Sequence, residues 1–134
     1  LDVLPEKKIL QVGIRSGTKE EFKFMSQQNQ LVKFLPGGNA QEFKKALLPY
    51  SNSPIYLTID LDWFDPSLLP GTGTPEPGGF FWNDFEVILE TLKDFRIVAS
   101  DIVELSPEID NSGVSSIVAA KVLRSLIMSV QNMQ

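Results

Sequence analysis

The sequence predicts an α/β domain built on a parallel sheet with helices on both faces. Three observations predict it. Short aliphatic runs alternate along the chain with amphipathic runs that begin at capping residues, and such alternation implies right-handed crossovers between parallel strands. The 134 residues suffice for one domain and not two. No repeat, low-complexity tract or linker divides them, so 1–134 reads as a single segment.

The elements follow in order. Lys8 to Ile14 reads as a first strand. Thr18 with Glu21 forms a capping box that opens a helix to about Gln28. Leu31 to Leu35 reads as a second strand, ended by the turn residues Pro36, Gly37 and Gly38. Asn39 and Glu42 form the next cap pair, for a helix to about Leu48. Pro54 to Asp60 is the third strand, and its apolar run reads as buried. Asn83 and Glu86 are expected to cap a helix to about Lys93. The fourth strand lies within Phe95–Glu104. A last helix spans about Val114 to Val130, with Ala119, Val122, Leu123, Leu126, Ile127 and Val130 at helical spacing as a core or interface stripe.

Composition excludes several classes. A net charge of −5 argues against nucleic acid or an anionic membrane as partner. Lys121 and Arg124 interrupt the apolar C-terminal stretch, so it does not read as a membrane span. There is no cysteine, hence no disulfide framework, and a cytoplasmic location is the default. The first residues are too charged for a signal peptide. The absence of histidine removes the commonest general base and transition-metal ligand. The chain begins at Leu1 rather than Met, which suggests a segment of something longer.

The chemistry concentrates after the third strand. Asp60 and Asp62 stand two residues apart, followed by Asp65-Pro66 and the loop Pro70 to Gly79. On a continuing strand the first two acids share a face. Like charges so placed call for a cation between them, and oxygen ligands suit a hard divalent metal. A long glycine- and proline-rich loop in a compact domain is usually functional. Glu104 closes the fourth strand as Asp60 closes the third, so both fall at the carboxyl edge of a parallel sheet. A carboxylate there matches a guanidinium group in a bidentate way. Asp101 reads as a structural contact within the strand, and Glu108 and Asp110 as ordinary loop acids. Gly13 to Thr18 reads as a tight strand-to-helix turn with Arg15 paired structurally. Trp63, Phe80, Phe81 and Trp82 either wall a pocket or pack the loop.

These segments resemble the ureohydrolase family, which includes arginase and agmatinase. Thr58-Ile59-Asp60-Leu61-Asp62 with Asp65-Pro66, Pro70-Gly71 and Gly79 resembles its C-terminal metal signature. Pro70 to Gly79, Gly13 to Thr18, Asp101 to Pro107 and Ser112 to Ser115 look most like the agmatinase branch, in the expected order. The resemblance implies a three-layer α/β/α sandwich with a mainly parallel sheet. It also implies hydrolysis of a linear guanidino compound such as agmatine to urea and an amine, with two manganese ions (Mn2+). By the same resemblance Asp60 and Asp62 are metal ligands, Glu104 binds the substrate guanidinium, and the protein is a homo-oligomer. The family's remaining ligands, including two histidines, lie in an N-terminal half that this sequence lacks, so the isolated chain is expected to be inactive. Trp63 is bulkier than the residue expected after the second acid.

Two other readings compete. Asp60 and Asp62 after an apolar strand also look like the nucleophile strand of the haloacid-dehalogenase-like phosphatases, although Phe64 stands where Thr or Val is usual and the loop to Gly79 is unexplained. Alternatively the chain is a non-catalytic interaction or regulatory half-protein.

Overall fold

The computed structural model describes residues 9–131. The expected positions Lys8 and Val130, the latter for its side chain, lie outside the described residues, as does the charged start of the chain. The order is β1 (Gln11–Val12), α1 (Lys19–Gln27), β2 (Leu31–Val32), α2 (Gln41–Leu47), β3 (Ile55–Asp60), α3 (Trp82–Leu92), β4 (Ile97–Val103) and α4 (Val114–Gln131). This is the alternating α/β pattern expected. Strands β1 and β2 pair in parallel, as do β3 and β4, in two separate two-stranded sheets. The first two strands are shorter than expected. Their chain leaves the ladder at Gly13, which takes φ +78°, and at the turn closed by the Gly38 amide on the Leu35 carbonyl.

Local signals set most helix starts. The Thr18 hydroxyl accepts from the Glu21 amide, and Glu21 accepts in return from the Thr18 amide at 2.7 Å. Asn39 does accept from the Gln41 amide, but Glu42 does not complete a box, and α2 starts without a side-chain cap at Ala40. At α3 the expected cap is corrected. Asp84, not Glu86, reaches back to the Phe81 amide, so the helix begins at Trp82; Glu86 instead accepts from the Trp82 indole. The buried Asp84 carboxylate also accepts from the Gly37 amide at 2.7 Å, which ties the turn after β2 to α3.

Two apolar clusters hold these elements. One joins Leu61, Phe64, Phe85, Leu89, Val122 and Leu126, bringing α3 and α4 onto Leu57, Ile59 and Ile102 of the β3–β4 sheet. The other joins Val32, Phe43, Leu47, Leu92 and Phe95 and receives Val12, Ile55 and Ile97 from three further strands. Complete burial of Leu61, Phe64 and Val122 contributes about 2 kcal/mol each. The α4 stripe divides. Ala119, Val122 and Leu126 are core, whereas Leu123 and Ile127 are half exposed on the outer side of the helix. Strand β3 is also not buried on both faces, as its apolar run suggested, because Tyr56 and Thr58 are exposed. Among the described residues no helix is long and apolar enough to cross a membrane.

Candidate functional site

The β3–β4 register places Asp60 opposite Val103, so Glu104 follows immediately past the ladder at the same edge. The two residues therefore stand at one edge of the sheet, as the sequence suggested. The pairing of Asp60 with Asp62 has a different local cause. The strand ends at Asp60, and Leu61–Trp63 form a turn of 3-10 helix. Asp60 Oδ1 accepts from the Asp62 amide at 3.1 Å, which starts that turn. The fully buried Leu61 anchors it in the core, and Asp62 is left at the edge.

The electrostatics report on the cluster. The Asp60 carboxyl is raised to about 6, first by burial and then by the negative charges of Asp62 and Glu104, against a lowering by the Asp62 amide. Asp60, Asp62 and Glu104 thus share one field. Asp62 is oriented by Thr74, whose hydroxyl donates to Asp62 Oδ2 at 2.9 Å. Glu104 takes φ +66°, a left-handed conformation that costs a non-glycine residue roughly 1–2 kcal/mol. Strain of that kind persists where the surroundings dictate a side chain's direction. Here the carboxylate turns over the loop, with Oε2 3.8 Å from the position a Cβ on Gly73 would take.

Three devices hold the long loop. Arg15, just past β1, donates to the carbonyls of Asp62 at 2.7 Å, Trp63 at 3.0 Å and Glu76 at 2.9 Å. Its guanidinium therefore clasps both limbs of the loop, in agreement with a structural role. Asp65 accepts from the Ser67 hydroxyl and amide and from the amides of Gly78 and Gly79. At the far end, Gly71 donates to Ser115 Oγ at 2.8 Å and accepts from the Ser106 amide.

The remaining sequence expectations resolve around these fastenings. Asp110 is corrected from an ordinary loop acid to a buried cap. It accepts from the Ser115 amide at 2.7 Å and from Ser112, opening α4, and the Ser112 hydroxyl leads the contacts that hold its carboxyl well below the usual range. An Asp and a Ser just before an apolar helix were a readable signal for that role. Asp101 is a structural contact as expected, accepting from the Tyr56 hydroxyl at 2.9 Å, and this carboxylate raises the Tyr56 pKa. Of the four aromatics, Trp63 and Phe80 pack at the loop, whereas Phe81 is half exposed. Trp63 stacks on Phe80 at 4.1 Å, Phe34 lies parallel to both at 5.4 Å from Phe80 and 6.5 Å from Trp63, and Trp82 packs on Phe85 beneath Lys121. Thr74 is the contributor the sequence analysis missed, because a threonine within a loop carries no sign of its partner.

Two stability predictions arise from these fastenings. Arg15→Ala should cost about 2–3 kcal/mol, since three carbonyls lose a charged donor. Arg15→Lys should recover only part of that, because a single ammonium lacks the planar fork. Urea denaturation together with hydrogen exchange over residues 62–79 measures both; unchanged exchange in Arg15→Ala would show that the clasp is dispensable. Asp65 gives a pH dependence. Its Ser67 hydrogen bonds, with those of Gly78 and Gly79, lower its pKa to about 2, below the unfolded value of about 3.9. The folded state then binds fewer protons than the unfolded chain. The stabilisation is complete above about pH 4 and is lost as pH falls toward 2. The gap in denaturation midpoint between the parent and Asp65→Asn should narrow over that window; a constant gap would refute the assignment.

The donor set fits a metal ion in part. Asp60 and Asp62 offer the oxygens a hard divalent ion takes. Among the described residues, however, no group of three or more histidine, cysteine, aspartate or glutamate side chains is arranged to hold one. Two carboxylates on their own do not complete such a site.

Known proteins resemble the chain over nearly its whole length. A family model described as the Arginase family matches residues 1–129. The chain belongs to the arginase family. It is 32% identical over 130 residues to an agmatinase from Bacillus cereus, covering 95% of this chain and 44% of that protein. It is 40% identical over 118 residues to an agmatinase from Pyrococcus horikoshii, covering 87% and 41%. The crystal structure of a Clostridium difficile protein assigned to the agmatinases superposes with a TM-score of 0.82 at 46% identity, over 93% of this chain and 45% of that one. The chain thus spans less than half the length of these relatives. It corresponds to the C-terminal part of an agmatinase-like arginase fold.

Proposed function

We propose that this chain is the C-terminal part of a ureohydrolase that hydrolyses a linear guanidino compound of the agmatine type to urea and an amine. The observation that carries the reading is the convergence of Asp60, Asp62 and Glu104 at one sheet edge, inside a loop clasped by Arg15. Asp60 and Asp62 are the carboxylates this half contributes toward a dinuclear manganese site, and the ligands it lacks come from the rest of the domain. Such ions, when bound, supply an activated water at neutral pH. Glu104 receives the guanidinium group, for which a carboxylate is the natural bidentate acceptor. Thr74 holds Asp62 in one rotamer. The overall change adds water to the guanidinium carbon and breaks its bond to the alkyl nitrogen, which leaves as the amine.

Resemblance to agmatinases over nearly the whole chain supports agmatine as the first substrate to assay, in a cytoplasmic homo-oligomeric enzyme. The test compares the isolated 134 residues with a complete arginase-family domain that contains them, each supplied with manganese and agmatine. Urea from the complete domain only is the expected result. Urea from the isolated chain would refute the half-site assignment, and none from the complete domain with any guanidino substrate would refute the reaction.

A further inference from the structure

The chain is strained just past the end of β4. The ladder stops at Val103, and Glu104 takes φ +66°. A non-glycine residue stays in that conformation only where its surroundings hold it. Two residues on, the Ser106 amide donates to the Gly71 carbonyl at 2.8 Å. The same glycine is fixed from its other side, because its amide donates to Ser115 Oγ at 2.8 Å. Gly71 thus joins the exit of β4 to the first turn of α4. The approach is close. A Cβ on Gly71 would lie 2.8 Å from both Cβ and Oγ of Ser115. Ser115 is itself firmly placed. It is fully buried, its amide donates to Asp110 Oδ2 at 2.7 Å, and its helix is anchored in the core by Ala119, Val122 and Leu126.

We propose that Ser115 is a positioning residue that sets Glu104 against the loop holding Asp62, through the Gly71 peptide. The proposal rests on the ureohydrolase reading for what Glu104 binds and on the geometry for the linkage. Two paths leave Gly71. One runs through Ser106 back to Glu104. The other runs along the loop to Gly73 and Thr74. A Cβ on Gly73 would lie 3.8 Å from Glu104 Oε2, and the Thr74 hydroxyl donates to Asp62 Oδ2 at 2.9 Å. Acids that follow two different strands are therefore referred to one peptide, and that peptide to α4. Removing the Ser115 hydroxyl leaves the buried Gly71 amide without its acceptor. The corner must then shift to find another, and the strained backbone at Glu104 relaxes with it. A displacement of about 1 Å in a group that orients substrate can cost about a hundredfold in rate. Ser115 acts through Gly71 and not on the substrate.

The experiment places Ser115→Ala in a complete arginase-family domain that contains this chain, supplied with manganese and agmatine. KM is expected to rise at least about tenfold over the parent, with manganese content unchanged. Hydrogen exchange is expected to quicken in 71–76 and in 103–106 together. Leu126→Val serves as the control, because it loosens the core about three turns further along α4. It should lower the melting temperature and leave KM within about twofold of the parent. Three results overturn the proposal: a Ser115→Ala protein with KM within about twofold of the parent, a Leu126→Val protein whose KM rises as far as that of Ser115→Ala, or unchanged exchange in 103–106. If Ser115→Ala is not folded by circular dichroism, Ser115→Cys carries the same test, since its sulfur is a weak acceptor. A parent domain that releases no urea from any guanidino substrate removes the ureohydrolase reading. Exchange then decides the linkage alone: quickening in both segments supports it, and quickening in 71–76 only, or in neither, overturns it.

Discussion

Asp60→Asn, introduced into a complete arginase-family domain containing this chain, is expected to lower urea formation from agmatine at least about a hundredfold. The reasoning is local. Asparagine keeps the shape of the side chain, and its oxygen can still accept from the Asp62 amide that starts the turn. The negative charge is lost, and with it the strongest ligand this half offers a cation. The fold should not suffer. Burial and two neighbouring acids already disfavour charge at this position, so the variant should be as stable as the parent or more so at pH 8, as read by urea denaturation. Manganese content per chain should fall together with activity. A variant with full metal content and activity within about tenfold of the parent would remove Asp60 from the site. Glu104→Gln separates the roles. It should raise KM for the guanidino substrate and leave metal content unchanged, because its carboxylate is assigned to the substrate and not to the metal.

Gly13→Ala is expected to produce the largest loss of stability, about 3 kcal/mol or more. Two costs add. Gly13 has φ +78°, where an alanine is strained. The added Cβ would also lie 2.4 Å from Phe80 Cε2 and 2.4 Å from Trp63 Nε1. Those atoms belong to rings stacked at 4.1 Å, with Phe34 parallel to both, so neither can move aside without opening the stack. The damage should reach the site, because Trp63 follows Asp62 directly and its carbonyl accepts from Arg15. The denaturation midpoint should fall with the slope unchanged, and tryptophan fluorescence should report the disturbed stack. A loss below about 1 kcal/mol would mean that the backbone at Gly13 relaxes freely.

Legibility in the sequence followed the range of the interaction. The Thr18–Glu21 capping box, the strand ending at Asp60 and the span of α4 were all readable, because each depends on residues within a turn or two. Asp84 was missed as the cap of α3 although its partner Phe81 is near, since Asn83 and Glu86 offered an equally good local pattern. The stripe on α4 was read as one surface because periodicity marks an apolar face without saying how wide its partner is. Only packing separated buried Val122 and Leu126 from half-exposed Leu123 and Ile127.

What the sequence by itself determined is the chemistry available: carboxylates after an apolar strand, a shaped loop, no histidine, and the family those motifs resemble. The tertiary structure decided which of these groups act together. Arg15 reaches Asp62 across 47 residues, and Glu104 shares the field of Asp60 only because β3 and β4 lie in one register. Among the described residues one face of that sheet, with Tyr56, Thr58 and Ala99, is exposed. Local sequence encodes local conformation through dihedral preference and short-range hydrogen bonds. Contacts between distant segments depend on how the apolar faces close over one another, and that geometry exists only once the chain has folded.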